Sequence, residues 1–234
     1  MDVFRFKQFQ VTQHQNVHRV GTDGVLLGAW VDLNDVKSAL DIGAGTGVIA
    51  LMLAQRLGVQ ANITAIEPNA EAFDLAKQNI IQSPFNNITI IQSRLQDFSN
   101  NSLFDLIISN PPYFENSLKP PTDSRTFERH TDLLVPDDLL AHSKKLLKPE
   151  GKLIVVLPVA EGNLFIDRAK NVEFHLASQC AVHSKEGKPQ ERWLLAFTRQ
   201  PIPETLKTTL TIMNSAGEWT NGYKELTREF YLNF

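Results

Sequence analysis

Cysteine is almost missing from this 234-residue chain: Cys180 stands alone, so no intramolecular disulfide and no thiol redox pair is available. The six histidines are scattered, and no cysteine cluster of zinc spacing joins them, so no metal site is expected. No window offers the roughly 18 uninterrupted apolar residues of a membrane span. Met1-Asp2-Val3-Phe4-Arg5 lacks the basic-then-apolar order of a signal peptide, so the sequence reads as cytoplasmic and without membrane contact. A positive excess is lacking as well. The net charge of −3 argues against a protein that grips nucleic acid through an overwhelming basic field. The charge is unevenly spread, however. Residues 1–141 carry 10 Lys/Arg against 16 Asp/Glu, residues 142–199 carry 10 against 6, and the last 35 carry 3 against 4. The third quarter is therefore the candidate phosphate-facing surface.

What is present is a core-forming composition, 42% apolar, enough for one substantial α/β domain. Residues 4–20 place Phe4, Phe6, Phe9 and Val11 in partial alternation, which predicts a short hairpin ahead of the main domain. A turn and a short apolar helix follow at GTDGVLLGAW. From there strands and helices alternate: strand 39–42, helix 47–57, strand 62–66, helix 69–82, strands 88–92 and 104–109, helix 136–147, strand 152–157, helix 160–170. Asn69 is the expected N-cap of its helix, and Pro136-Asp137-Asp138 opens another. Segments 174–182 and 192–198 are β-rich and separated by SKEGKPQE, which predicts a hairpin closing the sheet. The expected fold is a doubly wound, Rossmann-like, mostly parallel sheet with one antiparallel edge strand and a short N-terminal β appendage. It forms a single domain with a core at 38–200, an extension at 1–37 and another at 201–234. Residues 113–135 show no period and read as a long loop.

Two segments carry chemistry. Asp41-Ile42-Gly43-Ala44-Gly45-Thr46-Gly47 joins the first core strand to its helix, with glycines at alternate positions that leave the backbone open to a ligand. A dinucleotide fingerprint needs its third glycine at position 48, where Val48 stands, and no Lys-Ser/Thr pair follows for an NTPase phosphate loop. This DxGxGxG pattern resembles the cofactor loop of class I methyltransferases, which implies S-adenosyl-L-methionine. The next strand ends at Glu67, whose carboxylate can take both hydroxyls of a ribose. The resemblance implies that Asp97, after the third strand, lies beside the cofactor's adenine.

Strand 104–109 runs into Asn110-Pro111-Pro112-Tyr113. The prolines stiffen the backbone, withhold two N–H groups and leave carbonyls as acceptors. The Asn110 side-chain oxygen and the Pro111 carbonyl can hold the two protons of an exocyclic amine, while Tyr113 stacks on the base, which must first leave its own stack. The tetrapeptide does not choose between adenine N6, guanine N2 and the amide of glutamine. Its flanks do. FRFKQFQV, GTDGVLLGAW, SNPPYF, the RHTD beginning at Arg129 and Phe230-Tyr231-Leu232 resemble the bacterial tRNA1(Val) adenine-N6 methyltransferases across nearly the whole chain.

That resemblance implies methylation of the adenine 3′ of an anticodon, in a single-stranded loop of tRNA. It also implies that Thr22 and Asp23 lie near the methionine end of the cofactor. Arg125, Arg129, His130, Lys144, Lys145, Lys185, Lys188 and Arg192 are the candidate RNA contacts, and a monomer is expected. The rival readings are a protein glutamine methyltransferase, which usually carries a helical N-terminal domain, and a noncatalytic cofactor-sensing RNA-binding protein.

Overall fold

The computed structural model describes residues 2–17, 19–112 and 134–233. A two-stranded hairpin comes first, β1 (Asp2–Arg5) and β2 (Gln10–Gln13), followed by helix α1 (Thr22–Trp30). Then come β3 (Ser38–Ile42), α2 (Val48–Leu57), β4 (Asn62–Ile66), α3 (Ala70–Gln82), β5 (Ile88–Ile91) and β6 (Phe104–Ser109). The second half contributes α4 (Pro136–Leu146), β7 (Leu147–Pro158), α5 (Val159–Asn171), β8 (His175–Lys185), β9 (Gln190–Thr198), β10 (Leu206–Met213) and α6 (Asn221–Thr227). Asn69 caps α3 as expected, its side chain accepting from the Ala72 amide at 3.0 Å.

Eight strands form one sheet in the order β10-β8-β9-β7-β6-β3-β4-β5. The chain winds from β3 outward to β4 and β5, returns to β6 on the other side of β3, and continues to β7. This reversal opens a crevice at the carboxyl ends of β3 and β6, where doubly wound sheets bind ligands. The central strands are apolar on both faces, and their alternation sorts them into two layers. Ala39, Leu106, Ile108, Ile154 and Val156 pack with α1, α2 and the N-terminal hairpin. Leu40, Ile42, Ile107, Leu153 and Val155 pack with Leu139 and Leu140 of α4 and Phe165 of α5.

One strand of the main sheet is antiparallel to its neighbours, as expected, but it does not lie at the edge. β9 runs antiparallel to both β7 and β8 and sits between them. The crossover through α5 skips one place in the sheet, and the tight return after β8 lays β9 into that gap. The edge is β10, which pairs in parallel with β8 from Leu206↔Ser178 to Met213↔Lys185. Its stretch Leu206-Lys207-Thr208-Thr209-Leu210-Thr211 has few apolar residues, as suits an exposed edge, so the pattern that marks the inner strands is missing.

The two chain ends meet. The Lys7 amide donates to the Phe230 carbonyl at 2.8 Å, and Phe6 stacks on both Phe9 and Tyr231 at ring separations of 4.5 and 6.1 Å. At the amino ends of the strands, Asp105 accepts from the Lys37 and Ser38 amides at 3.0 and 2.9 Å, the Ser38 hydroxyl at 2.9 Å and the Lys148 ammonium at 2.7 Å. Burial alone would raise this carboxyl, but Lys148 and these hydrogen bonds outweigh it and hold it below the ordinary carboxylate range. A depressed carboxylate stabilises the fold above its unfolded pKa of 3.8, and the contribution disappears as pH falls. Asp105→Ala is expected to cost about 2 to 3 kcal/mol at neutral pH and much less in acid, read from denaturant melts at both pH values. An equal cost at both would show that the charge is irrelevant.

Candidate active site

A cavity of about 610 Å³ opens at the switch point, lined by Gly43, Gly45, Glu67, Leu95, Asn110 and Pro111 among others. The glycine loop is held in place by the end of β4: the amides of Gly43 and Ala44 donate to the Ile66 carbonyl at 2.9 and 3.1 Å. Gly43, Gly45 and Gly47 all have positive φ, at 74°, 56° and 81°. A Cβ at Gly43 or Gly45 would point into open space, whereas at Gly47 it would press on Ala76 at 3.4 Å. The first two glycines therefore leave room for a ligand, and the third lets α2 pack against α3.

Glu67 is 93% buried and fixed in place, one oxygen accepting from the Gly45 amide at 2.9 Å and the other from Asn69 at 3.0 Å. Each carboxylate oxygen has a second lone-pair position, so a vicinal diol can still be received. Asp41 behaves differently. Strand alternation turns it toward α2 and away from the cavity, where it is fully buried and accepts from the Ala50 amide at 3.1 Å. Its expected place at the cofactor is thus corrected to one beneath the loop, at the amino end of α2. Burial pushes its carboxyl up to about 7, with nearby Glu67 adding to the rise and the Ala50 bond opposing it. A raised carboxyl stabilises the fold below its unfolded value of 3.8, and that contribution is lost as pH rises through about 7. Asp41→Asn is therefore expected to flatten the dependence of melting temperature on pH between about 4 and 7. A slope unchanged from the native protein would assign the titration to another group.

Asp97 stands at the rim of the same cavity. The cavity is lined by Ser93, Arg94, Leu95 and Gln96, while the Asp97 carboxylate is paired with the Arg94 guanidinium at 2.7 Å on the outer side of a 3₁₀ turn. Thr22 and Asp23 do not line this cavity. They line a second one of about 320 Å³, shared with Ser184, Glu191 and Arg192. Asn110 borders both cavities and is the side chain that joins them, and Gly21 borders both as well. Asn110 follows β6, whose last residue, Ser109, donates its hydroxyl to the Ile42 carbonyl at 2.9 Å and so fastens the end of β6 to β3. Helix α1 comes close at Gly24, where a Cβ would lie 3.9 Å from the Asn110 amide nitrogen. Pro111 is buried and Pro112 exposed.

Of the basic candidates, Lys185 ends β8, Lys188 lies in the turn after it and Arg192 is near the start of β9, all at the carboxyl edge of the sheet, and Arg192 shares the second cavity with Asn110. Lys144 and Lys145 end α4 just before β7 begins, at the opposite end of the sheet, and Lys144 is paired with Glu173. A helix that precedes a parallel strand runs against it, which carries this pair away from the cavities. Tyr113, Arg125, Arg129 and His130 lie outside the described residues.

One residue that sequence reasoning passed over is Asn79. It is 1% exposed, accepts from the Thr12 amide at 2.9 Å, and donates to the Thr12 carbonyl at 3.1 Å and the Thr46 carbonyl at 3.0 Å. It thereby ties the N-terminal hairpin to the glycine loop. A polar residue on the buried stripe of Ala72, Leu75, Ala76 and Ile80 was the available signal.

This geometry agrees with comparisons to known proteins. Residues 19–166 match the methyltransferase small domain. The chain is 42% identical to the tRNA1(Val) (adenine(37)-N6)-methyltransferase of Phocaeicola vulgatus, over 98% of this chain and 97% of that one. The chain belongs to this methyltransferase family. The enzymes of the same name from Dyadobacter fermentans and Aliivibrio fischeri are 40% and 42% identical, again over at least 97% of both chains. In fold, the methyltransferase resembles one from Pyrococcus furiosus, with a TM-score of 0.62 at 22% identity, over 82% of this chain and 90% of that chain. Its cofactor is S-adenosyl-L-methionine, and the open backbone at Gly43 and Gly45 beside the fixed Glu67 carboxylate suits that molecule.

Proposed function

We propose that this methyltransferase transfers a methyl group to the exocyclic N6 of adenine 37 in tRNA1(Val), the reaction named for its relatives. The observation that carries the reading is the position of Asn110 at the junction of two cavities, one suited to the cofactor and one walled by the ends of β8 and β9. When bound, the cofactor supplies an electrophilic sulfonium methyl. Glu67 would hold its ribose, and the backbone of Gly43 and Gly45 would lie against it.

The remaining work belongs to the acceptor side. The lone pair of an adenine amine is delocalised into the ring, so the amine is a weak nucleophile. The side-chain oxygen of Asn110 and the carbonyl of Pro111 accept its two N–H groups, which favours a tetrahedral nitrogen whose lone pair faces the methyl. Such catalysis rests on positioning and on fixed acceptors, and the methylated nitrogen, now cationic and strongly acidic, sheds its proton to solvent without a strong base. The adenine enters from a single-stranded anticodon loop, where extruding a base costs less than from a duplex. Lys185 and Lys188 stand at the carboxyl edge to meet the phosphates.

The test is incubation of the protein with methyl-labelled cofactor and unmodified tRNA, then digestion to nucleosides. Label in N6-methyladenosine is expected. Label in protein would favour glutamine methylation, and no label would favour a cofactor-sensing binder.

A further inference from the structure

The second cavity holds an ion pair with no place in the reaction so far. Asp23, in the first turn of α1, and Arg192, near the start of β9, are 169 residues apart in sequence, yet Arg192 Nε donates to Asp23 Oδ2 at 2.9 Å. Both are largely shielded, their side chains 28% and 18% exposed for Arg192 and Asp23. The sequence suggested an ionic role for each, Asp23 toward the ammonium group of the cofactor and Arg192 toward a phosphate. Each instead has the other as its counter-ion, and neither lines the cofactor cavity.

The chemistry of the lining indicates what the pair does. Among the described residues, the charged groups lining this cavity are two carboxylates, Asp23 and Glu191, and one guanidinium, Arg192. That balance is negative and disfavours a phosphate. Leu26, Val182 and Ile212 supply apolar wall, and Thr22 and Ser184 supply hydroxyls, with Ser184 donating to the Glu191 carboxylate. A neutral, flat molecule with both donors and acceptors fits such a lining, and Asn110, which takes the amine, stands on its border. The Arg192 Nη1 group is further held by a bond to the Glu191 carbonyl at 2.9 Å, so the guanidinium plane is fixed from two sides.

We propose that Arg192, oriented by Asp23, is a specificity-determining donor to ring N1 of the acceptor adenine. This rests on the adenine reading above. Adenine presents an acceptor at ring N1 beside its amine, whereas guanine presents a donor there. A fixed guanidinium therefore favours adenine and leaves a donor facing a donor if guanine enters.

The experiment uses the full protein and anticodon stem-loop RNAs carrying adenosine or its 1-, 3- or 7-deaza analogue at the acceptor position, each of which replaces one ring nitrogen by C–H. The native enzyme should lose about 10- to 100-fold in kcat/KM on the 1-deaza analogue and not on the other two. Arg192→Met should lose a similar factor on adenosine itself and show no further loss on that analogue, with cofactor affinity unchanged. Asp23→Asn should show a weaker form of the same pattern, which tests the pair independently should Arg192→Met fold poorly. Three outcomes overturn the proposal: Arg192→Met as sensitive to every analogue as the native enzyme, cofactor affinity falling in step with turnover, or the salt dependence of RNA binding losing about one phosphate contact. Failure of the native enzyme to methylate the adenosine stem-loop would instead strike the adenine reading itself.

Discussion

Asn110→Ala is expected to lower methyl transfer to tRNA by at least about 10²- to 10³-fold while leaving cofactor affinity almost unchanged. The expectation follows from its position. Asn110 borders the cavity of Gly43, Gly45 and Glu67 and borders the second cavity as well. Truncating it removes an acceptor for the amine and leaves the ribose contact and the glycine backbone in place. Because the acceptor matters most as the nitrogen becomes tetrahedral, the loss should fall on kcat more than on KM. Single-turnover transfer and cofactor titration separate the two quantities. If cofactor binding weakened in parallel, Asn110 would be a structural support of the first cavity, and the positioning argument would fail.

Gly45→Ala is expected to have the opposite signature, a large loss of cofactor affinity with little further loss of turnover at saturating cofactor. Two effects combine at Gly45. A φ of 56° costs a non-glycine residue roughly 1 to 2 kcal/mol, and the new methyl would project into the space a ligand must fill. Gly58 provides the control, since its φ of 64° also leaves its Cβ in open space but it does not line the cavity. Gly58→Ala should destabilise the fold at least as much, since its ψ of −168° is one that glycine alone adopts readily, and leave cofactor binding intact. Calorimetric titration of both variants makes the comparison. Equal, small effects on binding would mean that the backbone at Gly45 does not touch the cofactor.

Much of this site can be read from the chain because its chemistry lies in contiguous segments. The glycine loop, the carboxylate ending β4 and the Asn-Pro-Pro turn ending β6 are each local patterns, and strand-helix alternation places all three at one edge of the sheet. Other placements depend on how the chain turns. Asp41 is next to the loop in sequence, but period-two alternation turns it under α2. Asp97 is one residue past the cavity lining, and an exposed pairing with Arg94 occupies its carboxylate. Lys144 and Lys145 belong to the basic quarter but sit at the opposite end of the sheet from Arg192, because charge counted along a chain ignores the reversal between helix and strand.

The sequence by itself determined the class of fold, the cofactor loop and the amino-group motif, since each depends on short-range geometry that a few residues enforce. Only the tertiary structure decided three other matters: that β9 is enclosed between β7 and β8, that Asn79 joins the hairpin to the glycine loop, and that Asp23 meets Arg192 beside Asn110. These contacts connect residues far apart in the chain. No local pattern encodes them, because burial and the closing of the sheet, not neighbouring residues, select which partners meet.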